Sequence, residues 1–77
     1  MTAVEDLLAR SRAKGGLPEP RLRRELRENA HLSQAELAAA FGVTRSAVCR
    51  WEAGTRRPRA RLLEAYLELL DRLATER

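Results

Sequence analysis

The 77-residue chain contains a single cysteine and a single histidine. Cys49 cannot form a disulfide bond within the chain, which favours a cytoplasmic protein over a secreted one. His31 has no set of partner ligands, so we expect neither a metal nor any other cofactor. Long apolar runs are also missing near the N-terminus, where Glu5 and Asp6 occur, and we therefore expect neither a signal peptide nor a membrane span.

Aromatic residues are equally scarce, since Phe41, Trp51 and Tyr66 are the only ones. The core is therefore expected to be aliphatic and built mainly from leucine and alanine, which favour helices. Almost no β-branched run is present, so no sheet is predicted. The chain also lacks a nucleophile with its base, paired carboxylates and a metal-ligand set, and it is short for a substrate cavity. We therefore do not expect an enzyme.

Positive charge, by contrast, is abundant: 15 basic and 11 acidic residues give a net charge of +4. It is concentrated in residues 10–29 and 44–61, and every basic residue except Lys14 is an arginine. Arginine suits bidentate contacts with phosphate and guanine, although a solvated face is the alternative. For Arg10, Arg12 and Lys14 both roles stay open. Three further side chains are expected to face solvent: Arg21, Arg23 and Arg24.

The spacing of apolar residues predicts a compact all-α domain of about five helices. The first covers about Val4–Arg12, and the second carries Leu22, Leu26 and Ala30, followed by a short junction at His31. Ser33 opens the third helix and Gly42 ends it; the fourth occupies Thr44–Ala53, and the last runs from about Ala60 to Ala74. The single domain, 1–77, thus comprises an extra N-terminal helix (1–16), a central unit (20–59) and a C-terminal packing or dimerisation helix (60–77).

Residues 33–52 are the most informative part of the central unit. Ser33 and Glu36 have the spacing of a capping box, and Thr44 is a second predicted N-cap. Gly42 suits the positive φ of a turn, and Gly54 suits the end of the next helix. The short link after the third helix does not allow antiparallel packing, so the two helices are predicted to cross steeply, as in a helix-turn-helix. The predicted inward-facing side chains are Leu37, Ala38, Phe41, Val43, Val48 and Trp51.

These residues resemble the helix-turn-helix of phage repressors and their bacterial relatives, the Cro/Xre-type (lambda-repressor-like) family. The resemblance covers about residues 21–59, including Leu32–Ala38, Phe41–Thr44 and Val48–Glu52 with Gly54 and Pro58. It implies a sequence-specific DNA-binding transcriptional regulator, expected to be a repressor, in the cytoplasm of a bacterium or phage-infected cell and associated with the nucleoid. The helix Thr44–Ala53 would enter the major groove of double-stranded DNA.

The resemblance also implies a role for particular residues. The base-contacting set comprises Thr44, Arg45, Ser46 and Arg50, in which the two arginines are favoured for guanine and the two hydroxyls for flanking phosphates. The phosphate-contacting set comprises Gln34, Arg56, Arg57 and Arg59. Arg27 and Glu52 match a structural ion pair, and Ala53 replaces an asparagine that often contacts a phosphate. Cys49 is expected to be inert, with redox sensing as the alternative.

The last helix carries two apolar faces. One face can cover the core and consists of Leu63, Leu67, Leu70 and Ala74. The second face consists of Leu62, Tyr66, Leu69 and Leu73, and it would form an exposed apolar patch unless another element covered it. Either the N-terminal helix or a second copy could cover it, and a homodimer is favoured because family members commonly act as symmetric dimers. Two other functions stay open: an antitoxin-type DNA-binding protein with a small protein partner, and an interaction module that has lost DNA binding.

Overall fold

The computed structural model describes Ala3 and residues 17–75, and the latter contain four helices and no strand. The helices are α1 (Pro20–Asn29), α2 (Gln34–Phe41), α3 (Arg45–Ala53) and α4 (Ala60–Thr75). The predicted all-α class is confirmed for this part of the chain, with four helices instead of about five. The helix predicted over Val4–Arg12 lies outside the described residues. None of the helices in residues 17–75 is long and apolar enough to cross a membrane.

The predicted N-caps of α2 and α3 are confirmed. The Glu36 backbone N–H donates to Ser33 Oγ over 3.0 Å, and the Ser33 N–H donates to the Glu36 carboxylate over 2.8 Å. The bond from the Ser33 backbone N–H is the main cause that lowers the pKa of the exposed Glu36 carboxyl group, and the Ser33 side chain acts in the same direction. Thr44 Oγ1 accepts from the Ala47 N–H over 3.1 Å. Both caps satisfy backbone donors that have no partner within the first turn of a helix.

A residue with left-handed backbone conformation follows each of the first three helices, directly after α2 and α3 and, after α1, one residue beyond its C-cap Ala30. These residues are His31 (φ 60°), Gly42 (φ 68°) and Gly54 (φ 79°). In each case the following N–H reaches the carbonyl five residues back, over 3.2 Å, 3.0 Å and 3.1 Å respectively, as in a Schellman motif. Only Gly42, Val43 and Thr44 separate α2 from α3. This short glycine-containing turn makes the pair a helix-turn-helix.

The centre of the core is aromatic, so the expectation of an aliphatic core was only partly right. Phe41 of α2, Trp51 of α3 and Tyr66 of α4 meet with ring centroids 5.1–6.0 Å apart. Such ring pairs add about 0.5–1.5 kcal/mol each beyond the burial of their area. The surrounding buried side chains are aliphatic and include Leu22, Leu26, Leu37, Ala38, Val48, Leu70 and Ala74. The predicted core position of Trp51 is confirmed, since only 4% of it is exposed.

The inner face of α4 differs from the predicted one. Tyr66 is fully buried, at 0% exposure, together with Leu70 and Ala74. The prediction of Tyr66 as a contact with a second copy is therefore wrong, because its side chain does not reach the surface. Leu69 and Leu73 are half-buried and pack against the core of their own chain, and Leu62 is half-buried outside that cluster.

Candidate nucleic-acid interface

Helix α3 has one buried face and one exposed face. Val48, Trp51 and Glu52 are buried. The opposite side is exposed and carries Arg45, Ser46, Cys49, Arg50 and Ala53. Within residues 17–75 neither arginine of this face pairs with a carboxylate, whereas other arginines, such as Arg24 and Arg27, do. We call these five exposed residues the outer face of α3.

The orientation of α3 is fixed by a buried ion pair with α1. Arg27 Nε and Nη2 donate to the two carboxylate oxygens of Glu52 over 2.5 Å and 3.0 Å, and Arg27 Nη1 donates to the Leu32 carbonyl over 2.8 Å. The hydrogen bond to Glu52 raises the pKa of Arg27, and burial opposes it. All three guanidinium nitrogens therefore have a partner within the protein. Arg27 and Glu52 act on the site by holding helices in place.

Gln34 joins this buried pair from the first turn of α2. Its side-chain Nε2 donates to Glu52 Oε1 over 3.1 Å, and the residue is half-buried. An amide nitrogen carries two N–H donors, so one remains for a group outside the protein. Glu52, in the last turn of α3, thereby positions a side chain at the start of α2.

A second arginine of α1, Arg23, is also buried, with 8% exposure, so the prediction that it faces solvent was wrong. Its Nε donates to the Pro18 carbonyl over 2.6 Å and its Nη1 to the Trp51 carbonyl over 2.7 Å. Burial lowers the pKa of Arg23, and the charge of the nearby Arg57 acts in the same direction. Backbone carbonyls at the segment before α1 and near the end of α3 supply the partners that burial requires.

Two adjoining depressions lie beside the outer face of α3. The smaller, of about 320 Å³, is lined by Gln34, Arg45, Ser46 and Cys49. The larger, of about 560 Å³, is lined by Arg24, Arg27, Ser33, Gln34, Ala35 and Arg45. Gln34 and Arg45 line both depressions, so the two form one continuous basic surface across α3, the start of α2 and one side of α1.

The loop between α3 and α4 adds three exposed arginines, Arg56, Arg57 and Arg59, around a buried Pro58. The N–H groups of Thr55 and Arg56 both donate to the Arg50 carbonyl, over 3.1 Å and 3.4 Å. The start of the loop is thus attached to the end of α3. Within the described residues no cluster of three or more His, Cys, Asp or Glu side chains could hold a metal ion.

Comparison with protein-family models matches residues 24–76 to a family described as helix-turn-helix. The chain belongs to the Cro/Xre-type helix-turn-helix family. No curated protein and no solved structure matches it. Membership of this family makes the chain a DNA-binding helix-turn-helix protein. The match extends beyond the helix-turn-helix proper and includes most of α4, which supplies the buried Tyr66 and Leu70 to the core.

Two residues of this helix-turn-helix surface were not assigned a role there by the sequence. Cys49 lies on the outer face of α3. Its spacing of four residues from Arg45 indicates that position, because residues four apart are neighbours on a helix surface. Arg24 lines the larger depression although it belongs to α1. Nothing in the local pattern separates Arg24 from the neighbouring arginines, because its position beside Gln34 depends on how α1 packs.

Proposed function

We propose that this helix-turn-helix protein is a sequence-specific transcriptional regulator, expected to be a repressor, that inserts α3 into the major groove. The outer face of α3 carries the proposal. It is exposed along its whole length and presents Arg45 and Arg50, whose charges have no carboxylate partner within residues 17–75. An α-helix with side chains is about 10–12 Å wide, and the major groove is about 12 Å wide.

Arg45 and Arg50 are the proposed contacts with bases. A guanidinium group donates in parallel to O6 and N7 of guanine, which is worth roughly 1–3 kcal/mol of discrimination against other bases. Ser46 lies beside Arg45 on the same face and can bond either a base edge or a phosphate. Thr44 Oγ1 already accepts from the Ala47 N–H, so its own O–H is the donor left for a phosphate next to the groove.

The proposed phosphate contacts come from two places around α3. Gln34 has one amide N–H left after its bond to Glu52, and it lies between the two depressions. Arg56, Arg57 and Arg59 are exposed in the loop that follows α3. Each phosphate neutralised by an arginine releases counterions, so the logarithm of affinity should fall by about 0.9 per contact for each tenfold rise in salt.

The first experiment is selection of bound sequences from a random double-stranded DNA library at near-physiological salt. Enrichment of a defined motif is the expected result, since Arg45 and Arg50 would discriminate between bases. Absence of any enrichment would contradict the proposal. The enriched duplex and a scrambled duplex then serve as the probes for variants.

Charge-conserving variants separate base contacts from phosphate contacts. Arg45→Lys and Arg50→Lys keep the charge but lose the bidentate geometry, so each should reduce the ratio of specific to scrambled affinity about five- to a hundredfold. Arg72→Ala, which removes an exposed arginine paired with Glu68 on α4, is the matched control and should leave the ratio unchanged. If Arg45→Ala and Arg50→Ala together left binding unaltered, the outer face of α3 would not be the DNA-contacting surface, and it would be free to serve as an interaction surface instead.

A homodimer on DNA remains a proposal, with its contacts reduced to Leu62, Leu69 and Leu73. These three leucines are half-buried on α4, and two of them already contact the core, so a second copy would cover less apolar surface than the sequence suggested. The selection experiment also tests this proposal. A palindromic motif supports two copies related by a twofold axis, and a single half-site contradicts them.

A further inference from the structure

Arg24 lies on α1, a helix that has no DNA contact in the proposal above. Its side chain is 65% exposed, yet it lines the larger depression together with Gln34 and Arg45. Those two residues are a proposed phosphate contact and a proposed base contact. A DNA strand that follows both of them would therefore pass beside Arg24.

The charges of the larger depression single out Arg24. Arg27 also lines this depression, but each of its three guanidinium nitrogens already donates a hydrogen bond to Glu52 or to the Leu32 carbonyl. Arg24 instead has an exposed partner, Glu28, with 3.3 Å between Nε and Oε2 and with 50% of the glutamate side chain exposed. Exposed pairs of this kind contribute little stability, so Glu28 can be exchanged for another anion.

We propose that Arg24 binds a phosphate of the DNA backbone beside the recognition helix, and that Glu28 competes with this phosphate for its guanidinium group. The proposal rests on the proposed function and extends the interface from α3 across the start of α2 to α1. It assigns opposite effects to two residues one helical turn apart. Loss of Arg24 weakens DNA binding, and loss of the charge of Glu28 strengthens it.

Arg21 provides the matched control. It is exposed on the same helix and has the same charge, but it lines neither depression. A general effect of net charge would therefore act on Arg21→Ala and Arg24→Ala alike. Only a local contact with phosphate distinguishes them. Thermal unfolding of each variant checks that the fold is retained, which is expected because both side chains are exposed.

The measurement is binding of a fluorescein-labelled 30-base-pair mixed-sequence duplex by anisotropy, over a series of KCl concentrations from about 20 to 200 mM. Phosphate contacts do not depend on sequence, so this duplex is a sufficient probe. Arg24→Ala should lower the slope of log affinity against log salt by about 0.9 and the affinity roughly fivefold at 0.15 M salt. Arg24→Lys should restore most of the slope, because lysine also binds phosphate as a point charge.

Glu28→Gln tests the competition. It should tighten binding severalfold in the wild-type background and have little effect in the Arg24→Ala background, because its target is then absent. Equal tightening in both backgrounds would mean that Glu28 only repels DNA at a distance, and would overturn the competition. Equal slopes for Arg21→Ala and Arg24→Ala would overturn the phosphate contact while leaving the proposed function in place. Absence of salt-dependent binding by the wild-type protein would overturn the proposed function itself.

Discussion

Replacement of Tyr66 by phenylalanine is expected to stabilise the protein. The Tyr66 hydroxyl group is buried and has no hydrogen-bond partner within the described residues. An unsatisfied buried polar group costs about 1–3 kcal/mol, and removal of one oxygen leaves a void smaller than a methyl group, which costs less than about 1 kcal/mol. The net gain is about 1 kcal/mol, or a rise in Tm of roughly 4–8 °C for a domain of this size.

The same hydroxyl group makes stability depend on alkaline pH. Burial raises the pKa of Tyr66 from 10.0 to about 12, and the negative charge of Glu52 contributes. The folded state therefore holds the neutral phenol, and its contribution is complete below pH 10, where the unfolded chain is also neutral. Above pH 10 the unfolded chain ionises first, so roughly 2 kcal/mol is lost by pH 12. Tyr66→Phe lacks this loss, and its advantage should grow to about 3 kcal/mol.

Urea unfolding followed by circular dichroism at pH 7, 10 and 12 measures both effects. Tyr66→Leu is the control, because it also removes the hydroxyl group but loses the ring contacts with Phe41 and Trp51, and it should destabilise by about 2–4 kcal/mol. A Tyr66→Phe variant less stable than the wild type at pH 7 would refute the reasoning about the orphaned hydroxyl group. If the wild type and Tyr66→Phe lost stability in parallel above pH 10, ionisation of Tyr66 could not be the origin of the pH dependence.

Two further predictions concern the helix ends and the buried ion pair. Gly42→Ala should cost about 1–2 kcal/mol of unfolding free energy, because its φ is positive but a Cβ atom would meet nothing within 4 Å. Gly54→Ala should cost more, since its Cβ would also lie 2.7 Å from Pro20 Cγ, and equal costs in urea unfolding would show that Pro20 moves aside freely. Glu52→Ala should destabilise the protein by about 3–5 kcal/mol, because it leaves the buried Arg27 without its carboxylate partner. Glu68→Ala breaks the exposed pair with Arg72 and should change the stability by less than about 1 kcal/mol. Similar values for these two glutamates would contradict the assignment of Glu52 as a buried partner.

The exposed face of α3 shows how far a local pattern predicts a site. Once Val48 and Trp51 are placed inside, the helical period leaves Ser46 and Arg50 outside, and the structure exposes both, together with Arg45 in the first turn of α3. The pattern could not predict that Gln34 bonds to Glu52, because that contact joins the beginning of α2 to the end of α3. Tyr66 was misplaced for a similar reason. Two apolar faces of α4 compete for the core, and only the packing of α4 against Phe41 and Trp51 decides between them.

The sequence by itself determined the helix boundaries at α2 and α3. A capping box joins residues three positions apart, and a glycine at a helix end adopts a positive φ that other residues disfavour. Neither feature depends on distant parts of the chain. Three of the four arginines of α1 are the opposite case. Arg23, Arg24 and Arg27 are chemically identical, yet one bonds to the Trp51 carbonyl, one lines the open basic surface, and one binds Glu52. Only the tertiary structure decided these roles, because folding places α3 and the start of α2 beside α1, and they supply Trp51, Glu52 and the other lining residues of the basic surface.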